Sequence, residues 1–424
     1  MRDTPPVILG DEPGSFPHSV LTERHPAIIR QVRDALPYDP GRRAALDALL
    51  HECAEGVVAP LPADAHDLGR WREWGAEAHL GRPWTDAPWL WAESYFYRRL
   101  LDAVGYFAPG VWQGVDPFRP AKLAELDSAG TDAELAALDG LAGLTEREQD
   151  RALLHGSLWG NRADLGFRLS GANGTADDTT DGTADDTADD TADDTTGGAT
   201  PPGAGPLVAD DSDALWSLLP PGRTAPLLCL IADNAGGELV PDLLLIAHLL
   251  TRGRVRHAVL HVKAHPYFVS DATPADVLDA VGRIRTAGGA GGAGGAGGAA
   301  RAYGEALWTA LTDGGLTVRA HPFSCAPLPY EDMPDDLRAE LKDATLTVLK
   351  GDLNYRRLVG DRRWPPTTPF ADVTRHFPGP VAALRTLKSE VITGVDAATV
   401  AALDAAEGPR WRTGGTHALI QVRP

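Results

Sequence analysis

Cysteine is scarce in this chain. Only Cys53, Cys229 and Cys325 occur among 424 residues, an odd number without metal-site spacing. Cys229 stands inside an apolar run, where a thiol behaves as a small buried hydrophobe. So few cysteines fit a reducing cytoplasm, which is the expected compartment. Long apolar runs are also missing: none approaches the ~20 residues needed to span a bilayer. No N-terminal stretch joins a basic segment to an apolar core, so export is not expected. Positive charge is short as well, with 39 Lys and Arg against 59 Asp and Glu and a formal charge of −20. Phosphate backbones and anionic membranes need a basic stripe, so neither nucleic acid nor membrane is an expected partner. The acidity is uneven. Nine Asp fall between Thr175 and Asp194 in a degenerate TADD repeat, leaving about −11 elsewhere, which is ordinary for a soluble enzyme.

Period-two alternation is rare between about Thr22 and Gly166. HPAIIRQVRDAL, GRRAALDALLHECAEG, PWLWAESYFYRRLLDAVG and TDAELAALDGLAGLTEREQDRALLHGSLWG space their apolar residues by three and four, as helices do. The length exceeds the roughly 250–300 residues at which one core stops growing, so two lobes are expected, the first a helical subdomain over residues 1–170. Its tryptophans at 71, 74, 84, 89, 91, 112 and 159 read as core rather than as a ligand cage. Residues 171–206 are nearly all Gly, Ala, Thr, Asp and Pro. They cannot bury enough apolar surface to offset ordering, so a disordered insert is expected. Its period of four, with no closing Glu, does not match a calcium loop of the EF-hand kind.

From Pro226 onward apolar runs alternate with helical segments. Candidate strands are Leu227 to Ala232, Ala258 to Val262, Leu316 to Ala320, Thr345 to Leu349, Glu390 to Thr393 and Ala418 to Val422. Such runs mark a sheet buried on both faces, so the fold class is α/β, doubly wound, over residues 207–424. The Gly/Ala-rich stretch 287–300 does not follow a strand directly. It reads as a flexible loop, not as a phosphate-binding one.

Four polar motifs fall where these strands end or the next helix begins: DNAGGE at 233–238, FVSD at 268–271, GDLNYR at 351–356 and RTLK at 385–388. In an open parallel sheet ligands bind at the carboxyl ends of the strands, so these motifs are expected to converge. Asp233, Asn234 and Asp271 would make an oxygen-rich partial shell for Mg²⁺ or Mn²⁺, although each also suits a turn or a helix cap. Glu238, near the start of the next helix, would favour the helix dipole in any case. His261, Lys263 and His265 lack the partners of a zinc site. Asp352, Asn354 and Arg356 make a polar loop that is expensive to bury unpaired, with a plain salt bridge as the simpler reading for Arg356. Lys388 would reach the same crevice as a point charge for phosphate. Glu93, Arg98 and Asn161 stand beside aromatics in the first lobe, where a bundle core with a solvated face is the simpler reading.

Six segments in order resemble the DUF89 family of metal-dependent damage-control phosphatases, in the branch named for acidic-residue-methyltransferase-like members. They are WAESYFYRRL (91–100), SLWGNRADLG (157–166), IADNAGGEL (231–239), HVKAHPYFVSDAT (261–273), LKGDLNYRRLVGDRRW (349–364) and LRTLKSEV (384–391). The resemblance implies an α/β/α sandwich with a Rossmann-like sheet and a helical N-terminal subdomain. It also implies a divalent ion, Mn²⁺, Co²⁺, Ni²⁺ or Mg²⁺, held by Asp233, Asn234 and Asp271. By the same resemblance Asp352, Asn354 and Lys388 line a phosphate pocket, which Glu93, Arg98 and Asn161 help to form; Lys388 and Arg356 are the cations expected to bind the phosphoryl group and stabilise its charge. The Arg-Thr-x-Lys motif points to the branch associated with sugar phosphates such as fructose 1-phosphate or fructose 6-phosphate. Gly237 stands where the family usually carries an aromatic residue.

The expected activity is therefore hydrolysis of a small phosphate monoester, with the phosphorylated small molecule as partner. Asp233 as a covalent nucleophile is disfavoured: position 235 is Ala, so the DxDx[TV] pattern of haloacid-dehalogenase-type phosphatases is broken. The rivals are S-adenosylmethionine-dependent carboxyl methyl transfer, for which DNAGGE is a poor cofactor loop, and a non-enzymatic phosphometabolite sensor. Deleting residues 175–196 is expected to leave metal-dependent phosphate release nearly intact, and a large loss would show that the insert belongs to the fold.

Overall fold

A computed structural model of the chain describes residues 4–160, 207–222, 226–288 and 297–424. Asn161, the insert at 171–206 and residues 289–296 lie outside the described residues. Seven strands form one sheet in the order β1-β7-β6-β5-β2-β3-β4. They are β1 (Leu207–Asp210), β2 (Leu227–Ile231), β3 (His257–His261), β4 (Leu316–Arg319), β5 (Leu346–Lys350), β6 (Val381–Thr386) and β7 (Ala418–Arg423). Five neighbours, β6-β5-β2-β3-β4, are mutually parallel. Strand β7 runs antiparallel to β6, and β1 runs parallel to β7.

The central strands are apolar throughout because both faces are covered. Leu228 and Leu230 enter one core, while Cys229 and Ile231 enter the other. The same alternation divides Ala258 and Leu260 from Val259, and Leu346 and Val348 from Leu349. This is the α/β/α sandwich. A third core belongs to the N-terminal helices His25–Ala35, Pro40–Glu55 and Trp89–Val104. Trp71, Trp84 and Trp91 are buried in it. No helix among the described residues is long and apolar enough to cross a membrane.

Packing does not follow a boundary at residue 170. Leu126, Leu135, Leu153 and Leu158 share the core that holds Leu228 and Leu230, so the helix Glu146–Trp159 is a layer of the sandwich. It begins with a capping box, Thr145 with Glu148, and packs against the helix Leu239–Thr251. The separate helical cap lies N-terminal to it.

Two strand assignments change. Glu390 to Thr393 is not a strand, and the run VAALRT at 381–386 is. Ser389 and residues 391–393 are buried, but side chains rather than a neighbouring strand satisfy their backbone. The Arg385 guanidinium donates to Val391 O and, at 3.0 Å, to Ser389 O. Gln421 Nε2 donates to Thr393 O at 2.7 Å, and Thr393 N donates to the Tyr355 hydroxyl at 3.1 Å. The other change is β1, which the sequence reading missed beside the low-complexity insert. The motif RTLK therefore spans the end of a strand instead of preceding one.

Arg385 is fully buried and also pairs with Asp352 at 2.6 Å. Removing one partner of a buried ion pair typically costs about 3–5 kcal/mol. Arg385→Met is expected to lower stability by about that amount, read as an earlier urea midpoint.

Candidate active site

Strand β2 ends at Ile231 and β3 at His261, and the chain beyond each is tied to the other. Ala272 N donates to Asp233 O at 2.9 Å and Ala235 N to Ser270 O at 2.6 Å, making an antiparallel bridge between Asn234 and Asp271. The backbone thus places Asp233, Asn234 and Asp271 together. Asp271 has no cap to make, because Thr273 and Asp276 cap the helix Pro274–Arg285 themselves.

Each side chain has few ways to turn. Asn234 Nδ2 donates to Glu238 at 2.9 Å, and its Oδ1 accepts from Ser270 Oγ at 2.6 Å. Asp271 lies 3.2 Å from Lys263 Nζ. That contact lacks hydrogen-bond geometry, so its buried Oδ2 has no donor among the described residues. Asp233 lies against Gly351, whose φ is +79° and where a Cβ would fall 1.7 Å from Asp233 Oδ2. Glycine is required there on both counts.

Burial pushes the Asp233 pKa well above the usual carboxylate range, and the charges of Asp271 and Glu238 add to the effect. Burial also raises Asp271, against the pull of Lys263 and Lys122. Burial alone would raise Glu238, yet Lys388 and Asn234 hold it below its ordinary value. The site thus carries more negative character than its own cations offset. A divalent ion with oxygen ligands fits such a site. Among the described residues no three His, Cys, Asp or Glu side chains gather to hold a metal unaided. The shell would be two carboxylates and the Asn234 amide oxygen, with water or substrate completing it.

Beside this group opens a crevice of about 200 Å³, lined on the sheet side by Asp233, Glu238, Lys350, Gly351, Asp352, Thr386 and Lys388. Lys388 is half-exposed and 3.6 Å from Glu238 Oε1. Its backbone N–H donates to Asp352 Oδ1 at 3.3 Å, the oxygen that also accepts from Arg385 Nε and Ser389 Oγ. Asp352 therefore fixes the lysine loop; against burial, Arg385 and Arg356 keep its pKa low. Asn354 is buried and donates to Ala232 O at 3.0 Å and Lys350 O at 2.8 Å, joining the ends of β2 and β5.

Four of the expected phosphate-pocket residues are not brought to the crevice: Asn354, fully buried between two carbonyls, and Glu93, Arg98 and Arg356. Arg356 pairs with Glu93 and Asp361, both at 2.7 Å, and its guanidinium lies over Trp89. Arg98 is held by Asp67 at 2.7 Å and Asp102 at 2.6 Å and faces a different cavity, beside His265 and Cys325. These are buried ion pairs between the cap and the sheet domain or inside the cap; for Arg356 that is the plain salt bridge, whereas Glu93 and Arg98 are buried and lie on no solvated face. Conversely, Lys350 and Glu125 line the crevice without having been expected there, and Trp159, read as core, is buried in a core and also borders the crevice. Lys350 precedes Gly351 as the last residue of an apolar run, a visible signal. Glu125 carries none in sequence.

The comparisons with known proteins agree with one another. The damage-control phosphatase ARMT1-like domain matches residues 20–403. The chain belongs to this family. It is 29% identical over 463 residues to damage-control phosphatase ARMT1 of Mus musculus, covering 99% of both chains. Against the Danio rerio protein of that name the identity is 28%, over 96% of this chain and 94% of the relative. The Homo sapiens protein is 27% identical over 99% of each. A solved DUF89 family protein from Pyrococcus horikoshii covers 88% of this chain at 13% identity and a TM-score of 0.44, too distant to add weight. Family membership over nearly the whole length makes the chain a damage-control phosphatase.

Within this phosphatase the close approach of Asp233 to Gly351 leaves no room for a methyl group. Gly351→Ala is expected to reduce turnover about 100-fold, the usual effect of displacing a reacting group by an ångström. Stability should fall by only about 1–2 kcal/mol for the left-handed backbone. Wild-type turnover would show that Asp233 need not sit there.

Proposed function

We propose that this phosphatase hydrolyses small phosphate monoesters with a divalent metal ion, and that its substrates are sugar phosphates such as fructose 1-phosphate or fructose 6-phosphate. The observation that carries this reading is the meeting of two opposite charge sets in one crevice. Asp233, with Asn234 and Asp271 beside it, supplies acidic oxygens, and Lys388, 3.6 Å from Glu238, lines the same crevice as a cation. The helix Gly351–Val359 begins at the same place, and its N-cap residue Lys350 makes no side-chain cap bond to it. Free N–H groups at a helix start attract phosphate.

Asp233, Asn234 and Asp271 would hold Mn²⁺, Co²⁺, Ni²⁺ or Mg²⁺. When bound, such an ion neutralises phosphoryl oxygens and lowers the pKa of a coordinated water. The chain's own share is positional and electrostatic. Lys388 meets the negative charge of the phosphoryl group, and the Asp352 carboxylate keeps the lysine loop in place through its hydrogen bonds to Lys388 N and Ser389 Oγ. Preorganised charge of this kind supplies much of the stabilisation in phosphoryl transfer. The sugar-phosphate class is supported by the Arg-Thr-x-Lys motif at 385–388, and the cytoplasm by the three unpaired cysteines.

The test is phosphate release from a panel of sugar phosphates after chelation and after each metal is restored. Activity should vanish with chelator and return with metal. Asp233→Asn and Asp271→Asn should abolish the metal-dependent part while the urea unfolding curve stays cooperative. Silence of the wild type across all metals and substrates would overturn the reading.

A further inference from the structure

The loop that carries Asp271 turns at an unusual residue. Among the described residues only Phe268 and Asp361 take a positive φ without being glycine, at +54° and +49°. Aspartate enters the left-handed region readily, but for a bulky side chain the conformation is a genuine outlier. Glycine would turn there at no steric cost, so the phenylalanine at this corner is held against its own preference. Strain of that kind persists only where the surroundings over-determine the backbone.

The cap supplies that hold. The Phe268 ring stacks on Tyr97, with centroids 4.8 Å apart and planes 26° from parallel, and meets Tyr267 edge-on at 5.0 Å. Tyr97 is buried in the helix Trp89–Val104. Ser94 lies three residues before it, on the same face of that helix, and its hydroxyl donates to Leu90 O at 2.6 Å. A hydroxyl has one proton, so Ser94 Oγ accepts from the Tyr267 hydroxyl at 2.5 Å. Residues 267 and 268 are thereby fixed to the cap.

Two residues later the chain is fixed to the metal side of the site. Ser270 Oγ donates to Asn234 Oδ1 at 2.6 Å, and Ser270 O accepts from Ala235 N. Asp271 O accepts from the buried Lys122 ammonium at 2.9 Å, which also bonds Asp116 and Asp276. Only Val269 separates the two sets of anchors. Turning Phe268 to an ordinary φ would pull either Tyr267 from Ser94 or Asp271 from its place beside Asn234.

We propose that Phe268 is a positioning residue for Asp271: its stack on Tyr97 keeps the left-handed corner that presents the carboxylate to a divalent cation. The inference rests on the metal reading above and adds to it what the helical cap contributes.

The test titrates Mn²⁺ alone into the metal-free full chain by calorimetry, for wild type, Phe268→Ala, Phe268→Gly and Phe268→Tyr. Phe268→Ala keeps the steric cost and loses the stack, so affinity should fall about 10-fold, the equilibrium equivalent of one strained residue. Phe268→Gly removes that cost and should lose less, whereas Phe268→Tyr keeps the ring and should match wild type. A ring that merely fills space would leave all four affinities equal, or lower Phe268→Gly as far as Phe268→Ala. Either result would overturn the positioning role and leave the metal site standing. If Phe268→Ala fails to fold, Phe268→Gly against Phe268→Tyr decides: weaker binding in the former is expected, and equality rejects the role. A wild type that binds none of Mn²⁺, Co²⁺, Ni²⁺ and Mg²⁺ would remove the metal reading and this inference together.

Discussion

The closeness of Asp233 to Gly351 is the constraint on which the rest of the site depends. A carboxylate occupies the space where residue 351 would carry its side chain, so the ends of β2 and β5 can approach only with glycine there. Asn354 then bonds to both strand ends at once. The loop after β3 is drawn in by the bridge between Asn234 and Asp271, and the loop after β6 by Asp352 and Arg385. Four segments distant in sequence are thereby held by backbone and buried side-chain bonds, with little left to surface flexibility.

Two kinds of charge cluster, one buried and one partly buried, coexist here. Arg385 and Asp352 form a matched pair, and Arg356 is shared by two carboxylates, Glu93 and Asp361, that it bonds directly. Asp233, Asp271 and Glu238 are not matched: Lys263 and Lys388 offset part of their charge, and an Asp271 oxygen is left without a donor. Matched pairs hold a fold together, whereas an unmatched group at the mouth of a crevice is poised for something from outside. The contrast explains why equally polar motifs, one containing Arg98 and another Asp233, end in different roles.

Much of the architecture was legible in the sequence because the central strands are covered on both faces. LLCLI, HAVLH and LTVLK are continuous apolar runs, and β2, β3 and β5 begin and end within a residue or two of them. β6 was harder. VAALRT ends in Arg and Thr, and SEVITGV, whose Val391 and Ile392 are fully buried, looked more like a strand; no local pattern reveals that the Arg385 side chain takes the place of a neighbouring strand. The strand-end position of Asp233, Asn234 and Asp271 could be read from the motifs. The pairing of Arg356 with Glu93, 263 residues away, could not, and neither could the arrival of Glu125, because a helix pattern does not say which of its exposed positions another domain will cover.

The two reversed strands have a kinetic consequence. β1 pairs only with β7, Leu207 lying opposite Ala418, so its sole partner is made some two hundred residues after it. Contacts of such separation are slow to form, and an unpaired edge is open to wrong partners meanwhile. The five parallel strands, which include every strand that ends at the crevice, can assemble without either. During synthesis the catalytic half of the sheet would therefore precede its own border, with β1 waiting as the last piece to be enclosed.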